Sequence, residues 1–417
     1  MTYINIWRNW VSFETTIILG EIMKRLTLLP LLLSSAVFAG GYKVPETSLN
    51  AIALSAANVA HSHGAENAYS NPANMAFMED KQSIEADLIY IGLDPVKYKS
   101  NDGSTDISAK SETFLLPSLH YVSGKLGERA RVGLSVVVPG GLSKRWSDSP
   151  AVDKAKEFTL EVVEVNPSVA FKINDTLAVA AGFRIVSTSG VVKSKSVVSR
   201  DMTGDSIDMG YNLALSYKPT KKLEFGLTYR SNIDLTVTGE AKLDGLTGLV
   251  YDGGASVTVP LPATINVAVA YEIPVDATIE FVYERVNWSA YKSLDFNYVG
   301  NVGGLAPYFD DPIAKDWKDT NVFRVGLTKV MDKYTFMAGA VKDESPVPDK
   351  SLSFELPDSD SVSVSGGVRY QYSKNLNIGF AALYSMRDTR KATNSDVDGE
   401  FSNSNVLIMS AGLGYKF

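Results

Sequence analysis

Apolar residues recur at every second position through most of this chain, and the segments that carry them are joined by connections of alternating length. Tyr211, Leu213, Leu215 and Tyr217 alternate with small or polar residues, and the run stops at Lys218-Pro219-Thr220-Lys221. Leu223, Phe225, Leu227 and Tyr229 then run back. The same unit recurs at 265–271 with 278–285, at 323–327 with 334–341, and at 364–372 with 376–384. Period two is the signature of a strand with two unlike faces. The pattern predicts fourteen strands, near 83–93, 112–123, 129–138, 158–173, 176–190, 206–218, 222–238, 257–272, 276–296, 319–330, 333–342, 360–373, 375–387 and 403–417. Longer polar connections fall near 94–111, 139–157, 191–205, 239–256, 297–318, 343–359 and 388–402, and each is followed by a short turn. Short turns at one end and long loops at the other mark an outer-membrane barrel. Closure follows from the solvent, because lipid offers no partner to an unpaired backbone group.

The aromatic residues agree. Tyr217, Tyr271 and Tyr372 each stand just before a short turn, where a ring of tyrosines would meet the membrane interface. The last strand places Leu407, Met409, Ala411, Leu413, Tyr415 and Phe417 on one face and ends in an aromatic residue. The expected fold class is therefore all-β, a transmembrane antiparallel β-barrel of 14 strands over residues 82–417. No stretch reads as a membrane-spanning helix. The uncharged run 253–271 contains Pro260 and Pro262 and then alternates.

Composition removes several function classes. The 417 residues carry 40 Lys+Arg and 47 Asp+Glu, a net charge of −7, which is the wrong sign for a nucleic-acid footprint. There is no cysteine, and histidine occurs only at His61, His63 and His120. Thiolate metal sites and cysteine nucleophiles are excluded. No nucleophile–base pair is recognisable, so the chain does not read as an enzyme, and no cofactor or metal is expected. His61-Ser62-His63 reads as polar packing, since a metal site would want further ligands.

The N-terminus reads as a secretory signal. Lys24 and Arg25 precede the apolar run 26–33, and small residues lead to a cut after Ala39. Met23 reads as the true start, with 1–22 a mis-called extension; a long n-region is the other reading. Residues 40–81 do not fit the barrel. They are rich in alanine and asparagine, Ser48 can cap a short helix through about Ala60, and Asn71 can cap another with Pro72 at its first position. So many small side chains make no independent core. Their expected place is inside the lumen, as a helical hatch; a periplasmic arm is the alternative.

Several motifs carry a family resemblance. These are Asn71-Pro72-Ala73, the run 166–174 beginning Asn166-Pro167-Ser168, Leu261-Pro262-Ala263-Thr264, Trp288-Ser289-Ala290-Tyr291, Trp317-Lys318-Asp319-Thr320, and the pair Ser345-Pro346-Val347-Pro348-Asp349 and Leu356-Pro357-Asp358-Ser359-Asp360. In order and spacing the chain resembles the long-chain fatty acid outer-membrane transporter family (FadL/TodX type). The resemblance implies uptake of long-chain fatty acids or other hydrophobic molecules by passive diffusion across the bacterial outer membrane. It implies capture between outer loops, a tighter pocket near the hatch, and lateral exit at an inward kink of the third strand beside Asn-Pro-Ala. On this basis the substrate-binding or gating residues are Gly40, Asn71, Pro72, Ala73, Pro139, Gly140 and Asp358. Pro139 and Gly140 would interrupt strand pairing. Asp358 is weighed against a plain role as solvated loop charge, as are Lys193 and Lys195 for a fatty acid carboxylate. The implied partners are a hydrophobic small molecule and outer-membrane lipid, and the chain is expected to act as a monomer. The rival readings are a general porin, which would carry no plug, and a structural or adhesive barrel.

Overall fold

The computed structural model describes residues 40–417; the signal peptide read over 1–39, with its start at Met23, lies outside the described residues. Fourteen strands form the wall. They are β1 (Ser83–Leu93), β2 (Glu112–Val122), β3 (Ala130–Lys144), β4 (Glu157–Lys172), β5 (Leu177–Lys195), β6 (Ser199–Tyr217), β7 (Leu223–Arg230 and Ile233–Gly245), β8 (Gly248–Leu261 and Thr264–Ile273), β9 (Ala277–Val286), β10 (Thr320–Met331), β11 (Tyr334–Asp343), β12 (Ser361–Gln371), β13 (Leu376–Arg387) and β14 (Val406–Lys416). Each pairs antiparallel with the next, and β14 returns to β1 in register from Ser83↔Lys416 to Leu93↔Val406. The sheet is thus a closed barrel.

The wall inverts the usual arrangement of apolar and polar faces. On β10 Phe323 and Leu327 point outward and are exposed, while Arg324 and Thr328 are buried inside. On β6 Tyr211, Leu213 and Tyr217 face out, while Asn212 and Ser216 face in. Apolar side chains on the outside of a closed sheet are stable only against lipid. Tyr217, Tyr271 and Tyr372 are exposed beside the short turns, as the interfacial ring requires.

The strand ends differ from the sequence reading on the loop side. The pattern predicted loops at 191–205 and 239–256, but β5 and β6 pair as far as Lys195↔Ser199, and β7 and β8 as far as Gly245↔Gly248. These hairpins stand beyond the apolar band, where both faces are polar or mixed, so the strand continues after its apolar signal has stopped. Conversely β9 ends at Val286, short of the expected 296, and the chain turns through a 3-10 turn at Trp288–Ala290.

The N-terminal segment packs inside the wall. Ser48 Oγ accepts from Ala51 N–H at 3.1 Å and starts helix α1 (Leu49–Ala53). The helix was expected to reach Ala60, but Ser55 and Ala56 take φ of 50° and 59° and end it. Helix α2 (Asn67–Ser70) follows, and Asn71 Oδ1 then caps a 3-10 helix over Pro72–Phe77 with Pro72 at its start. The wall holds this segment through side chains from many strands. Glu280 of β9 accepts from the N–H groups of Val59, Ala60 and His61 at 2.7–2.9 Å. Arg324 of β10 donates to Ser55 O, Arg230 of β7 to Tyr69 O, and Asp87 of β1 accepts from Leu49 N–H. Close approach is needed too. A Cβ on Gly339 of β11 would lie 2.3 Å from the carbonyl carbon of Leu54.

Candidate functional site

The site is organised by an interruption in β3. Backbone pairing between β2 and β3 covers only Leu119↔Val136 to Val122↔Gly133. Beyond Val136 the two strands part. On its other edge β3 shifts register against β4 between Val137 and Gly140. Val138 and Pro139 are the residues left out of that ladder, and proline has no N–H to give it. The vacated backbone is taken by the start of the N-terminal segment. Val44 N–H donates to Pro139 O at 2.8 Å, Gly141 N–H donates to Tyr42 O at 2.9 Å, and Lys43 and Gly140 face each other as an antiparallel bridge. Where the strands part, His120 Nδ1 of β2 lies 2.9 Å from Ser135 Oγ of β3, and His120 Nε2 reaches Thr47 O of the segment. At the loop end Glu112 of β2 accepts from Ser143 and Arg145.

Four of the residues singled out from the sequence therefore meet. Pro139 and Gly140 hold Tyr42–Val44, Gly40 N–H donates to Asp343 at 3.0 Å, and Gly41 N–H donates to Asp358 Oδ2 at 3.1 Å. Asp358 is buried, and it also accepts from Arg387 Nη1 at 2.6 Å and Ser345 Oγ at 2.7 Å. It is not the solvated loop charge that a loop aspartate usually is. Asn71, Pro72 and Ala73 lie elsewhere. Their 3-10 helix packs mainly on β4, β5 and β6, with Asn71 Nδ2 donating to Val59 O and to Leu215 O. The β3 interruption meets Tyr42–Val44, not Asn-Pro-Ala. Lys193 pairs with Asp201 at 3.2 Å, outside the cavities described next.

Two cavities lie on either side of this junction. The loop-side cavity is lined chiefly by Leu142, Leu160, Val192, Met202, Val257 and Val259, and Tyr42 lines it too. Its apolar lining needs no special conformation of the ligand, only area to bury. Polar groups are few. Lys315 is paired with Glu355, and the Trp317 Nε1–H is buried without a partner. Burial opposes the charge of Glu355, but Lys315 beside it wins and holds the carboxyl below its ordinary range. Tyr42, Trp288, Tyr291 and Trp317 form one edge-to-face cluster, with Tyr42–Trp288 centroids 4.8 Å apart and Tyr291–Trp317 also 4.8 Å apart. Nearby Arg200 is buried against Phe296, its guanidinium 4.0 Å from the ring centre, and its Nε has no partner. The sequence reading missed Tyr42, Arg200 and the role of Trp288 and Trp317. The two tryptophans were visible only as motif letters, and Arg200 as one loop charge among many.

The second cavity lies beside Val44, Pro45, Ser48, His120 and Pro139, and it is more polar than the first. Arg184 and Arg230 share Glu164 at 2.9 and 3.2 Å. Arg324 and Lys43 share Glu284, the former at 2.8 Å. Each carboxylate thus serves two cations, while Glu46 and Asp343 also act on Arg324 and Lys43, so the basic side chains here are matched by acidic ones. In the segment itself Glu66 accepts from Ser48, Asn50 and Asn58. Burial, and behind it the Glu85 carboxylate, pushes Glu66 up to about 7 against the pull of Arg369.

Comparison with known proteins now decides the family. The sequence profile of outer membrane protein transport proteins (OMPP1/FadL/TodX) matches residues 30–417. The chain belongs to this family. It is an outer-membrane transport barrel for hydrophobic molecules, not an enzyme. Among its relatives is a long-chain fatty acid transport protein of Escherichia coli O6:H1, 24% identical over 85% of this chain and 88% of that one. Outer membrane protein P1 of Haemophilus influenzae is 20% identical over 72% of this chain and 75% of its own length. The fold matches the crystal structure of a Pseudomonas aeruginosa FadL homologue with a TM-score of 0.79, at 20% identity and covering 90% of this chain and 99% of that one. It matches the Pseudomonas putida toluene transporter TodX with a TM-score of 0.70, at 17% identity over 88% and 99%.

Proposed function

We propose that this barrel takes up long-chain fatty acids by passive diffusion, as a monomer, and releases them sideways into the outer membrane between β2 and β3. The observation that carries the substrate class is the pairing of an apolar cavity with a chamber lined by Lys43, Arg184, Arg230 and Arg324. An acyl chain fits the first, and a carboxylate is favoured by the second. A neutral aromatic hydrocarbon would use only the first. The route is supported by the parting of β2 from β3 past Val136 and by the small number of bonds that hold Tyr42–Val44 across it. The hatch would move at this junction, with Asp358 and the Gly40–Gly41 turn as the anchor on one side. Asn71, Pro72 and Ala73 keep the hatch seated on β4–β6 rather than gating the exit. A lumen occupied by the N-terminal segment speaks against a general porin.

Uptake of radiolabelled oleate by cells lacking the protein, with and without a plasmid copy, tests this reading alongside toluene. Restored oleate uptake is expected. Restored toluene uptake alone would move the substrate to aromatic hydrocarbons, the reading that the apolar cavity by itself would favour. No change for either would leave a structural or adhesive role.

A further inference from the structure

β3 meets the hatch at both of its ends. Past its middle it takes the Tyr42–Val44 bonds described above. At its start Arg131 holds the opposite end, the link 78–82 that joins the 3-10 helix to β1. Arg131 is 1% exposed. Its Nη1 donates to Lys81 O at 3.2 Å and to Ser123 O at 3.0 Å, and its Nη2 donates to Met78 O at 2.7 Å and to Glu79 O. All four Nη hydrogens are thus given to backbone carbonyls, and Nε has no partner. Other buried arginines of this barrel are held differently. Arg184, Arg324, Arg369 and Arg387 each pair with a carboxylate. Among the described residues no carboxylate pairs with Arg131. Asp80 of the link instead accepts from Lys125 N–H at 2.8 Å, which ties the link to the turn between β2 and β3.

The choice of acceptor matters. An arginine on a carboxylate joins two side chains, which can swing together. An arginine whose rigid fork is spread over carbonyls fixes the path of the main chain itself. The body of the hatch follows that path. A Cβ on Gly133 would lie 2.6 Å from Met75 Sδ and 2.7 Å from Ala68 Cβ, so α2 and the 3-10 helix lie directly on β3 beside Arg131. From Arg131 to the bridge at Gly140 is about 30 Å of strand, and the register shift at Val137–Gly140 falls at the far end of it. One strand therefore carries a buried clamp at the end of the hatch and an interrupted ladder at its start. We propose that Arg131 is a positioning residue that pins the end of the hatch to β3, so that movement is confined to Tyr42–Val44 and the hatch turns about Met78–Lys81 without leaving the lumen. This rests on the reading that the hatch moves at β3 during transport. A hatch pinned in this way opens a narrow path for a slim apolar chain and still blocks large polar solutes.

Hydrogen exchange on the full chain in detergent, with and without oleate, reads the two ends separately. Oleate is expected to speed exchange at 42–44 by about tenfold or more and to change 78–82 by less than about twofold. Arg131→Met keeps the length of the side chain and removes its donors, and it is expected to speed exchange at 78–82 by about tenfold or more. In cells the same variant is expected to admit vancomycin, a large polar antibiotic, while oleate uptake stays within about twofold. A merely structural arginine would lower barrel stability without this split between the two solutes. Arg131→Lys keeps the charge but not the planar fork, so it should fall between the two. Heat-modifiable gel mobility checks that each variant is a folded barrel. With the native chain, equal acceleration at both ends would overturn the pivot and show a hatch that moves as a whole. No acceleration at either end would overturn the hatch movement, and the pivot with it. Unchanged exchange at 78–82 and unchanged antibiotic entry in Arg131→Met would overturn the role of Arg131 alone.

Discussion

If passage requires the start of the hatch to leave β3, a covalent link at that point should stop transport. Lys43 and Gly140 face each other across the antiparallel bridge, bracketed by Val44 N–H to Pro139 O and Gly141 N–H to Tyr42 O. They form the non-hydrogen-bonded kind of pair, whose Cα atoms lie about 4.5 Å apart, within the span of a disulfide. The chain has no cysteine, so Lys43→Cys with Gly140→Cys gives one defined bond. The native attachment combines two backbone hydrogen bonds and the Tyr42 hydroxyl on Pro260 O, worth about 1 kcal/mol each, with the Lys43–Glu284 ion pair and the burial of the Tyr42 ring against Trp288 and Trp317. The released form is therefore a minor population, and oxidation of the cysteine pair removes it. The initial rate of oleate uptake should fall at least tenfold and return on reduction. The single variants measure the separate costs of losing the Lys43–Glu284 ion pair and of placing a Cβ 3.0 Å from Tyr42 O. Unchanged uptake with the disulfide fully formed, shown by gel shift, would refute movement of Tyr42–Val44 as the gate.

Three further outcomes are expected. Gly339→Val puts a side chain into the Leu54 backbone and should unseat the hatch, raising sensitivity to a large polar antibiotic while the barrel still folds. Gly366→Ala, whose Cβ meets nothing nearer than 3.6 Å, should be silent. Glu66 sits at about 7 in place and lower when the hatch is released, so between about pH 4.5 and 7 the seated form holds more protons than the released one. Seating should therefore weaken as pH rises through that window, read as a lower protection factor of 48–67 (exchange corrected for the intrinsic base-catalysed rate) at pH 8 than at pH 5, and that difference should vanish in Glu66→Gln. Asp358→Ala leaves the Gly41 N–H without its acceptor and strips Arg387 of its buried carboxylate, so the segment at Gly40–Val44 should become open to added protease while strand content is unchanged.

What was legible beforehand follows from the range of each signal. Fourteen strands could be counted because lipid imposes apolar residues at every second outward position, as at Leu213 or Phe323, and because turn residues punctuate them. The hairpins beyond the apolar band could not, because Ser199–Asp205 alternates only among polar, small and mixed residues. Pro139-Gly140 stood out within its strand, since a proline and a glycine there conflict with a ladder. What the displaced backbone would bond to was not legible, since Tyr42–Val44 lies nearly a hundred residues away. The aromatic cluster shows the same limit. Trp288 and Trp317 meet Tyr42 only once the connection 287–319 has folded inward, and no local pattern encodes that.

The arrangement also explains why a sideways exit suits this barrel better than an axial one. Each methylene returned from the apolar cavity to water would cost roughly 0.8 kcal/mol, so a chain of sixteen carbons could not cross a wet, charged lumen at a useful rate. Along the axis lie Arg184, Arg230, Arg324 and the carboxylates they hold, together with the seated hatch. Across the wall, Leu115 stands on the outer, lipid-facing side of β2 beside the gap, and Leu119 and Leu134 face outward where the two strands still pair. A chain that slips past Pro139 exchanges one apolar surface for another. Its carboxylate would meanwhile pass Lys43, whose ion pair is with a glutamate that Arg324 shares. The proposed path thus asks the protein to break the hydrogen bonds at Tyr42–Val44, the Lys43–Glu284 pair and the ring contacts of Tyr42. A path of that kind would need no energy source.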